Sequence, residues 1–146
     1  MEKLFITGIG TDVGKTVVSA ILTEALQADY WKPVQAGVEP STDAGTVRSL
    51  VQNLVSRFWP ERHRLQLPAS PHAAAAAEGL TLRPTDFQLP ATDNHLLVEG
   101  AGGLLVPLAP GFLLVDLIQQ LGLDVVVVSR NYLGSINHTL LTLEAL

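Results

Sequence analysis

The segment Gly8-Ile9-Gly10-Thr11-Asp12-Val13-Gly14-Lys15-Thr16 constrains this chain more than any other. It follows Leu4–Thr7, a short apolar run that reads as a strand. It precedes Lys15–Leu26, where Val18, Ile21, Leu22, Ala25 and Leu26 recur at helical spacing. Glycines let backbone amides approach an anion closely, and the helix that follows adds the partial positive charge of its N-terminus. A phosphate chain held by the amides of Gly10, Thr11, Asp12, Val13 and Gly14 would have Lys15 at its β- and γ-phosphates. The Thr16 hydroxyl would then lie within reach of a magnesium ion. The strict G-x-x-x-x-G-K-[ST] pattern has a shorter gap between its glycines than the five residues Ile9 to Val13. The bland alternative is an ordinary strand-to-helix turn with a chance Gly-Lys-Thr.

The rest of the chain repeats the alternation of strand and helix. Tyr30–Val34 is expected as a second strand that leaves its ladder at Pro33. A helix capped by Ser41 or Thr42 is expected to carry Val47, Leu50, Val51, Leu54, Val55 and Phe58 on one face and to stop at Pro60. Residues 60–69 read as irregular, with Glu61, Arg62, His63 and Arg64 solvated. Ser70-Pro71-His72, five alanines and Glu78-Gly79 form a short helix with proline at its first position. Leu96–Val98 is a third strand entering the glycine-rich Glu99–Gly103, and Leu104–Leu108 a brief extended piece. Leu113–Leu121 is a helix, Val125–Val128 an apolar strand, and a last helix starts at Ser135. This order predicts one α/β domain over residues 1–146: a doubly wound, mostly parallel sheet with helices on both faces, similar to P-loop nucleotide hydrolases. The sequence stops inside the last helix without a capping signal, which leads us to expect a continuation.

Composition narrows the chemistry. With a formal charge of -5, the molecule is a poor match for nucleic acid or an anionic membrane, so any phosphate site must be local. No cysteine is present, which excludes disulfides, thiolate zinc sites and cysteine nucleophiles and suits a reducing cytosol. The longest uncharged stretch, Gly100–Val115, is shorter than the roughly 18 residues of a spanning helix and contains Pro107 and Pro110. A soluble cytoplasmic protein is expected.

Two further positions sit where a parallel sheet presents its C-terminal edge. Lys32, in Lys32-Pro33-Val34-Gln35-Ala36-Gly37, could hold a transferring phosphoryl group or an anionic acceptor, or be a surface lysine. Glu99, followed by Gly100–Gly103 with Gly102 among the turn glycines, could hold magnesium or merely cap a turn. Asp43 could also bind metal, although the helix dipole favours an acid in a first turn whatever its function. Asp12 is either a ligand or a solvated loop acid, His72 reads as non-catalytic, and Ala73–Ala77 as a good helix former. In Leu133-Gly134-Ser135-Ile136-Asn137-His138 the free amides, the Ser135 hydroxyl and the Asn137 side chain suit a carboxylate, or form an ordinary capped helix.

Thr7–Thr16, Lys32–Gly37, Ser70–His72, Val98–Gly103 with Pro107, and Leu133–Thr142 together resemble dethiobiotin synthetase in order and spacing. The resemblance implies a homodimer that uses ATP as co-substrate and Mg²⁺ as cofactor. It would convert 7,8-diaminononanoate and CO2 into dethiobiotin, by way of a carbamate that is phosphorylated and then attacked by the second amine. It also implies site roles. Lys15 and Thr16 match the phosphate and magnesium residues, and Lys32 the lysine at the carbamate and γ-phosphate. Asp43 and Glu99 match magnesium ligands, and Gly134, Ser135, Ile136 and Asn137 the segment of the partner subunit that holds the substrate carboxylate. Gly10 stands where many members carry aspartate, Asp12 where glutamate is common, and Ala36 where some carry serine. The family continues with a segment that recognises adenine.

Two other readings share the phosphate loop. A related amidoligase would activate a carboxylate with ATP, but Lys32–Gly37 and Ile136-Asn137-His138 argue against it. A partitioning or septum-placing ATPase switch would carry another lysine early in the loop and basic or amphipathic elements, and this chain offers neither.

Overall fold

The computed structural model describes residues 1–146. In chain order its elements are β1 (Lys3–Gly8), α1 (Lys15–Leu26), β2 (Asp29–Trp31), β3 (Val34–Ala36), α2 (Asp43–Leu50), β4 (Phe58–Trp59) and β5 (His63–Leu65). They continue with α3 (Pro71–Ala77), a 3-10 turn (Pro84–Asp86), β6 (Leu96–Gly103), β7 (Pro107–Ala109), β8 (Phe112–Leu113), α4 (Leu114–Leu121), β9 (Asp124–Val128) and α5 (Ser135–Glu144). Five strands form a central sheet in the order β4-β2-β6-β1-β9, and every pairing in it is parallel.

Alternation along β1 shows why the sheet is covered twice. Phe5 and Ile6 are both fully buried, yet they join different clusters because successive strand residues point to opposite faces. Phe5 packs with Leu114, Leu117 and Ile118 of α4 and with Ala74 and Ala75 of α3. Ile6 packs with Val13, Leu97 and Val128, against Val18, Leu22 and Leu26 of α1. The alanine run of α3 thus supplies a small face that fits closely on the core. The doubly wound α/β architecture is as the sequence predicts.

Register carries the strand ends to one edge. Trp31 pairs with Val98 and Ile6 with Glu99. One residue beyond β2, therefore, Lys32 comes beside Glu99, and both stand next to the loop that follows β1.

Four local expectations are corrected. The run Tyr30–Val34 is two strands rather than one: β2 ends at Trp31, and Val34–Ala36 pairs with β5 in a separate parallel ladder. Pro33 cannot donate to a ladder, but its carbonyl accepts from the amides of Arg62 and His63 at 2.9 and 3.0 Å. Secondly, α2 stops at Leu50, so Leu54 and Val55 are exposed. The Glu24 carboxylate takes the amides of Gln52 and Asn53, and Asn53 Oδ1 takes those of Val55 and Ser56 at 3.0 and 2.9 Å. That side-chain turn replaces helix bonds, and the aromatic pair Phe58-Trp59 becomes β4 against Tyr30 and Trp31. Thirdly, residues 63–65 are ordered: Leu65 is fully buried and His63 Nε2 lies 3.2 Å from Asp86. Lastly, the extended piece after Gly103 is a β7–β8 hairpin, with Asp116 accepting from the Leu113 amide at 2.7 Å as α4 begins.

Candidate functional site

The phosphate-loop backbone leaves the ordinary region at Asp12 (φ 57°) and Gly14 (φ 103°). Positive φ in such a loop turns successive amides toward one concavity, and at a non-glycine residue it stores strain. Gly14 is the N-cap of α1, with no side-chain cap, so the first amides of the helix stay available to a ligand. The Val13 side chain is buried in the core, which leaves only its backbone to face a phosphate.

A cavity of about 710 Å³ opens over this loop. Thr11, Asp12, Gly14, Lys15 and Thr16 line it from below. Lys32, Asp43 at the start of α2, and Ser70 and Pro71 at the start of α3 complete the walls. Gly102 closes another side; its φ of 67° suits glycine, and a Cβ there would lie 2.7 Å from Val106 Cγ2.

Two lysines stand at the cavity, and one of them is tied to two acids. Lys15, 8% exposed, donates from Nζ to the Gly10 carbonyl at 2.7 Å. Burial first, and then the charge of Lys32, holds its pKa below the ordinary lysine value. Lys32, 2% exposed, bridges Asp43 Oδ2 at 2.9 Å and Glu99 Oε1 at 3.3 Å, and also donates to the Gly100 carbonyl at 3.1 Å. Burial opposes its charge, but Glu99 and Asp43 outweigh burial and raise its pKa. Thr16 Oγ1 donates to the same Glu99 oxygen at 3.1 Å. The structure thus brings Lys15, Thr16, Lys32, Asp43 and Glu99 together.

The start of α5 does not join them. Gly134 (φ 101°) is the N-cap, Ser135 is the first helical residue, and Ile136 is 78% exposed. None of Gly134–Asn137 lines the cavity. Gly134 takes the left-handed position ahead of Ser135 more easily than another residue would. Ser70 does precede α3, but its hydroxyl meets His72 Nδ1 at 3.1 Å instead of capping the helix.

Sequence reasoning missed two residues. Gln35 Oε1 accepts from the Asp43 amide at 3.1 Å, while Nε2 donates to the Gly37 carbonyl at 2.8 Å, tying α2 to the end of β3. Tyr30, fully buried, donates from its hydroxyl to Glu99 Oε2 at 3.0 Å. Strand alternation was the available signal, since Tyr30 and Lys32 are two residues apart and share a face.

Comparison with known proteins finds relatives along the whole chain. A family described as an AAA domain matches residues 2–146. An ATP-dependent dethiobiotin synthetase BioD of Cytophaga hutchinsonii is 56% identical over 147 residues, covering 100% of this chain and 71% of the relative. The protein of the same name from Christiangramia forsetii is 55% identical, over 99% of this chain and 70% of its own length. That of Brucella ovis is 49% identical, over 99% and 68%. A phosphate loop, a buried lysine bridging two acids and similarity along the whole chain thus agree: this chain belongs to the dethiobiotin synthetase family.

Proposed function

We propose that this protein is the ATP-dependent ligase that closes the ureido ring of dethiobiotin from 7,8-diaminononanoate and CO2. The observation that carries this reading is Lys32, fixed between Asp43 and Glu99 on the wall of the cavity that holds Lys15. A phosphate loop alone would serve any nucleotide hydrolase. A second buried cation, set where a γ-phosphate and an anionic acceptor would meet, suits transfer of the phosphoryl group to a carbamate. In the reaction one amine adds to CO2, and the carbamate oxygen takes the γ-phosphoryl group. The second amine then attacks the mixed anhydride, forming the ring C–N bond and releasing phosphate. Positioning and charge stabilisation are what such a sequence needs from the protein, and no side-chain nucleophile is required.

The donor set also fits magnesium. Thr16, Asp43 and Glu99 offer the hard oxygens that Mg²⁺ prefers, Thr16 bonded to Glu99 and Lys32 bridging Glu99 to Asp43. No group of three or more His, Asp or Glu side chains converges in the structure. A bound Mg²⁺ would thus complete its shell with water and phosphate oxygens, and it would supply charge neutralisation at the β- and γ-phosphates. Residues 1–146 act in this reading as a single nucleotide-binding domain. Gly134–Asn137 would serve the substrate carboxylate of a partner subunit, since they lie outside this cavity. No helix is long and apolar enough to cross a membrane, and we place the enzyme in the cytoplasm as a homodimer.

Release of ADP with and without 7,8-diaminononanoate and bicarbonate tests the reading. We expect release to depend on both. An ATPase switch would release ADP without the diamine, and an amidoligase would demand a different carboxylate and amine; either result rejects the proposal.

A further inference from the structure

Glu99 is almost wholly buried and its two oxygens have different partners. Oε1 accepts from Thr16 Oγ1 and Lys32 Nζ, two residues that line the cavity. Oε2 meets only the hydroxyl of Tyr30. That tyrosine is fully buried and does not line the cavity, so it cannot touch a substrate there. Its ring clusters with Ala20 of α1 and Val47 of α2, and lies 5.9 Å from Phe58 of β4. Tyr30 is therefore packed between the helix that begins at Lys15 and Thr16 and the helix that begins at Asp43, while its hydroxyl reaches the third oxygen donor.

A carboxylate can rotate about its last torsion, and a donor fixed at one oxygen of a buried one favours one plane. The geometry points to Tyr30 as a positioning residue. By holding Oε2 it turns Oε1 toward Thr16 and fixes the spacing of the oxygens that receive the cation. The inference rests on the reading of Glu99 as a cation ligand, and it adds a residue to which the ligand owes its orientation. A phenol suits the task because it donates one hydrogen bond and brings no charge that would compete with Lys32 for the carboxylate.

Tyr30→Phe keeps the ring and removes the hydroxyl. Mn²⁺ binding with a non-hydrolysable ATP analogue, followed by the electron paramagnetic resonance of free Mn²⁺, reads the site without turnover. We expect Tyr30→Phe to weaken Mn²⁺ binding by about tenfold, the scale seen when a hydrogen-bond partner of a metal ligand is removed. Glu99→Gln should weaken it further, and Tyr30→Phe in the Glu99→Gln background should add nothing. Unchanged Mn²⁺ binding in Tyr30→Phe beside a loss in Glu99→Gln would overturn the inference while leaving Glu99 as a ligand. Additive losses would overturn it too, because a purely structural tyrosine acts independently of Glu99. No loss in either variant would reject the ligand reading and the inference with it. If Tyr30→Phe does not fold, 3-fluorotyrosine in the parent gives one ¹⁹F resonance for each of the two tyrosines. The Tyr30 signal, assigned with Tyr132→Phe, should move when Mg²⁺ and nucleotide are added to the parent but stay still in Glu99→Gln. A motionless signal in the parent would overturn the inference.

Discussion

Asp29 and Glu99 are both buried carboxylates of the central sheet, one at the N-terminal start of β2 and the other near the C-terminal edge of β6. Asp29 is held by neutral donors alone. Oδ1 accepts from the Arg57 amide at 2.9 Å and Asn94 Nδ2 at 3.2 Å, and Oδ2 from Trp59 Nε1 at 3.0 Å and Thr92 Oγ1 at 2.8 Å. Those partners come from β4, from the residue just before it and from the segment before β6, so the carboxylate ties these pieces to the start of β2. Glu99 has two hydroxyls and a lysine, and the lysine is shared with Asp43. Fixed dipoles cannot be exchanged for a ligand, whereas an ammonium on a flexible stem facing a cavity can give up its place to another cation. One acid is held by fixed dipoles alone, the other in part by a cation at a cavity wall.

Removing Lys32 should separate them most sharply. Lys32→Met leaves Asp43 and Glu99 facing each other without a cation, at a cost of about 4 kcal/mol, typical of breaking a buried pair. Because the folded pKa of Lys32 is raised, its contribution is full below the ordinary lysine value and lost as pH rises through the folded one. Mg²⁺ should recover part of the lost melting temperature in Lys32→Met, since the two acids then have room for it. Calorimetry with and without Mg²⁺ checks this, and a melting temperature indifferent to Mg²⁺ would remove the contrast with Asp29.

Lys15→Ala should cost activity without costing stability. A fixed charge at the transferring phosphate is worth on the order of a hundred- to thousandfold in turnover. The folded pKa of Lys15 is lowered, so its charge opposes folding at neutral pH, and that penalty fades as pH rises from the folded value toward the ordinary one. We expect steady-state dethiobiotin formation to collapse while thermal unfolding is unchanged or shifted upward. Formation within about tenfold of the parent would show that the loop amides suffice.

Asp29→Asn inverts that pattern. One oxygen becomes an amide donor facing existing donors, and the loss should be about 2 kcal/mol with turnover unaffected. Burial pushes the Asp29 carboxyl up, but the bonds from Arg57, Thr92, Trp59 and Asn94 prevail and lower its pKa. The group therefore contributes stability above the ordinary aspartate value and loses it as pH falls through the folded one. Urea unfolding between pH 7 and 3 should show a steeper acid loss in the parent than in Asp29→Asn. Parallel curves would mean that other carboxylates govern acid unfolding.

Legibility followed the same division between local and distant causes. The phosphate loop, α1, α4, β1 and β9 are written in neighbouring residues, and each was readable from spacing. The convergence of Lys15, Lys32 and Glu99 needed one further rule, that strand ends of a parallel sheet share an edge. What stayed hidden depends on contacts far apart in sequence. Glu24 draws off the amides after Leu50, ending α2 early, and Pro33 hands its carbonyl to residues 62 and 63. Tyr30 reads as an ordinary core aromatic until Glu99, 69 residues away, is placed against it.

The smallest effect concerns Asp43, whose place depends on how α2 begins. Two acceptors serve that helix start: Gln35 Oε1 takes the Asp43 amide, and Thr42 Oγ1 takes the Gly45 amide at 3.1 Å. Thr42→Ala removes only the second, a loss of about 1 kcal/mol that lowers the melting temperature by about 3 °C. Gln35 still anchors the backbone of Asp43, and Lys32 still holds its carboxylate at 2.9 Å. The Mg²⁺ concentration for half-maximal turnover should therefore rise by no more than about twofold, since the lost cap bonds the helix two residues beyond Asp43. A shift that outruns the small loss of stability would show that the helix start, rather than the lysine bridge, sets the position of Asp43. The exchangeable end of the comparison would then depend on fixed backbone bonds as much as the Asp29 end does.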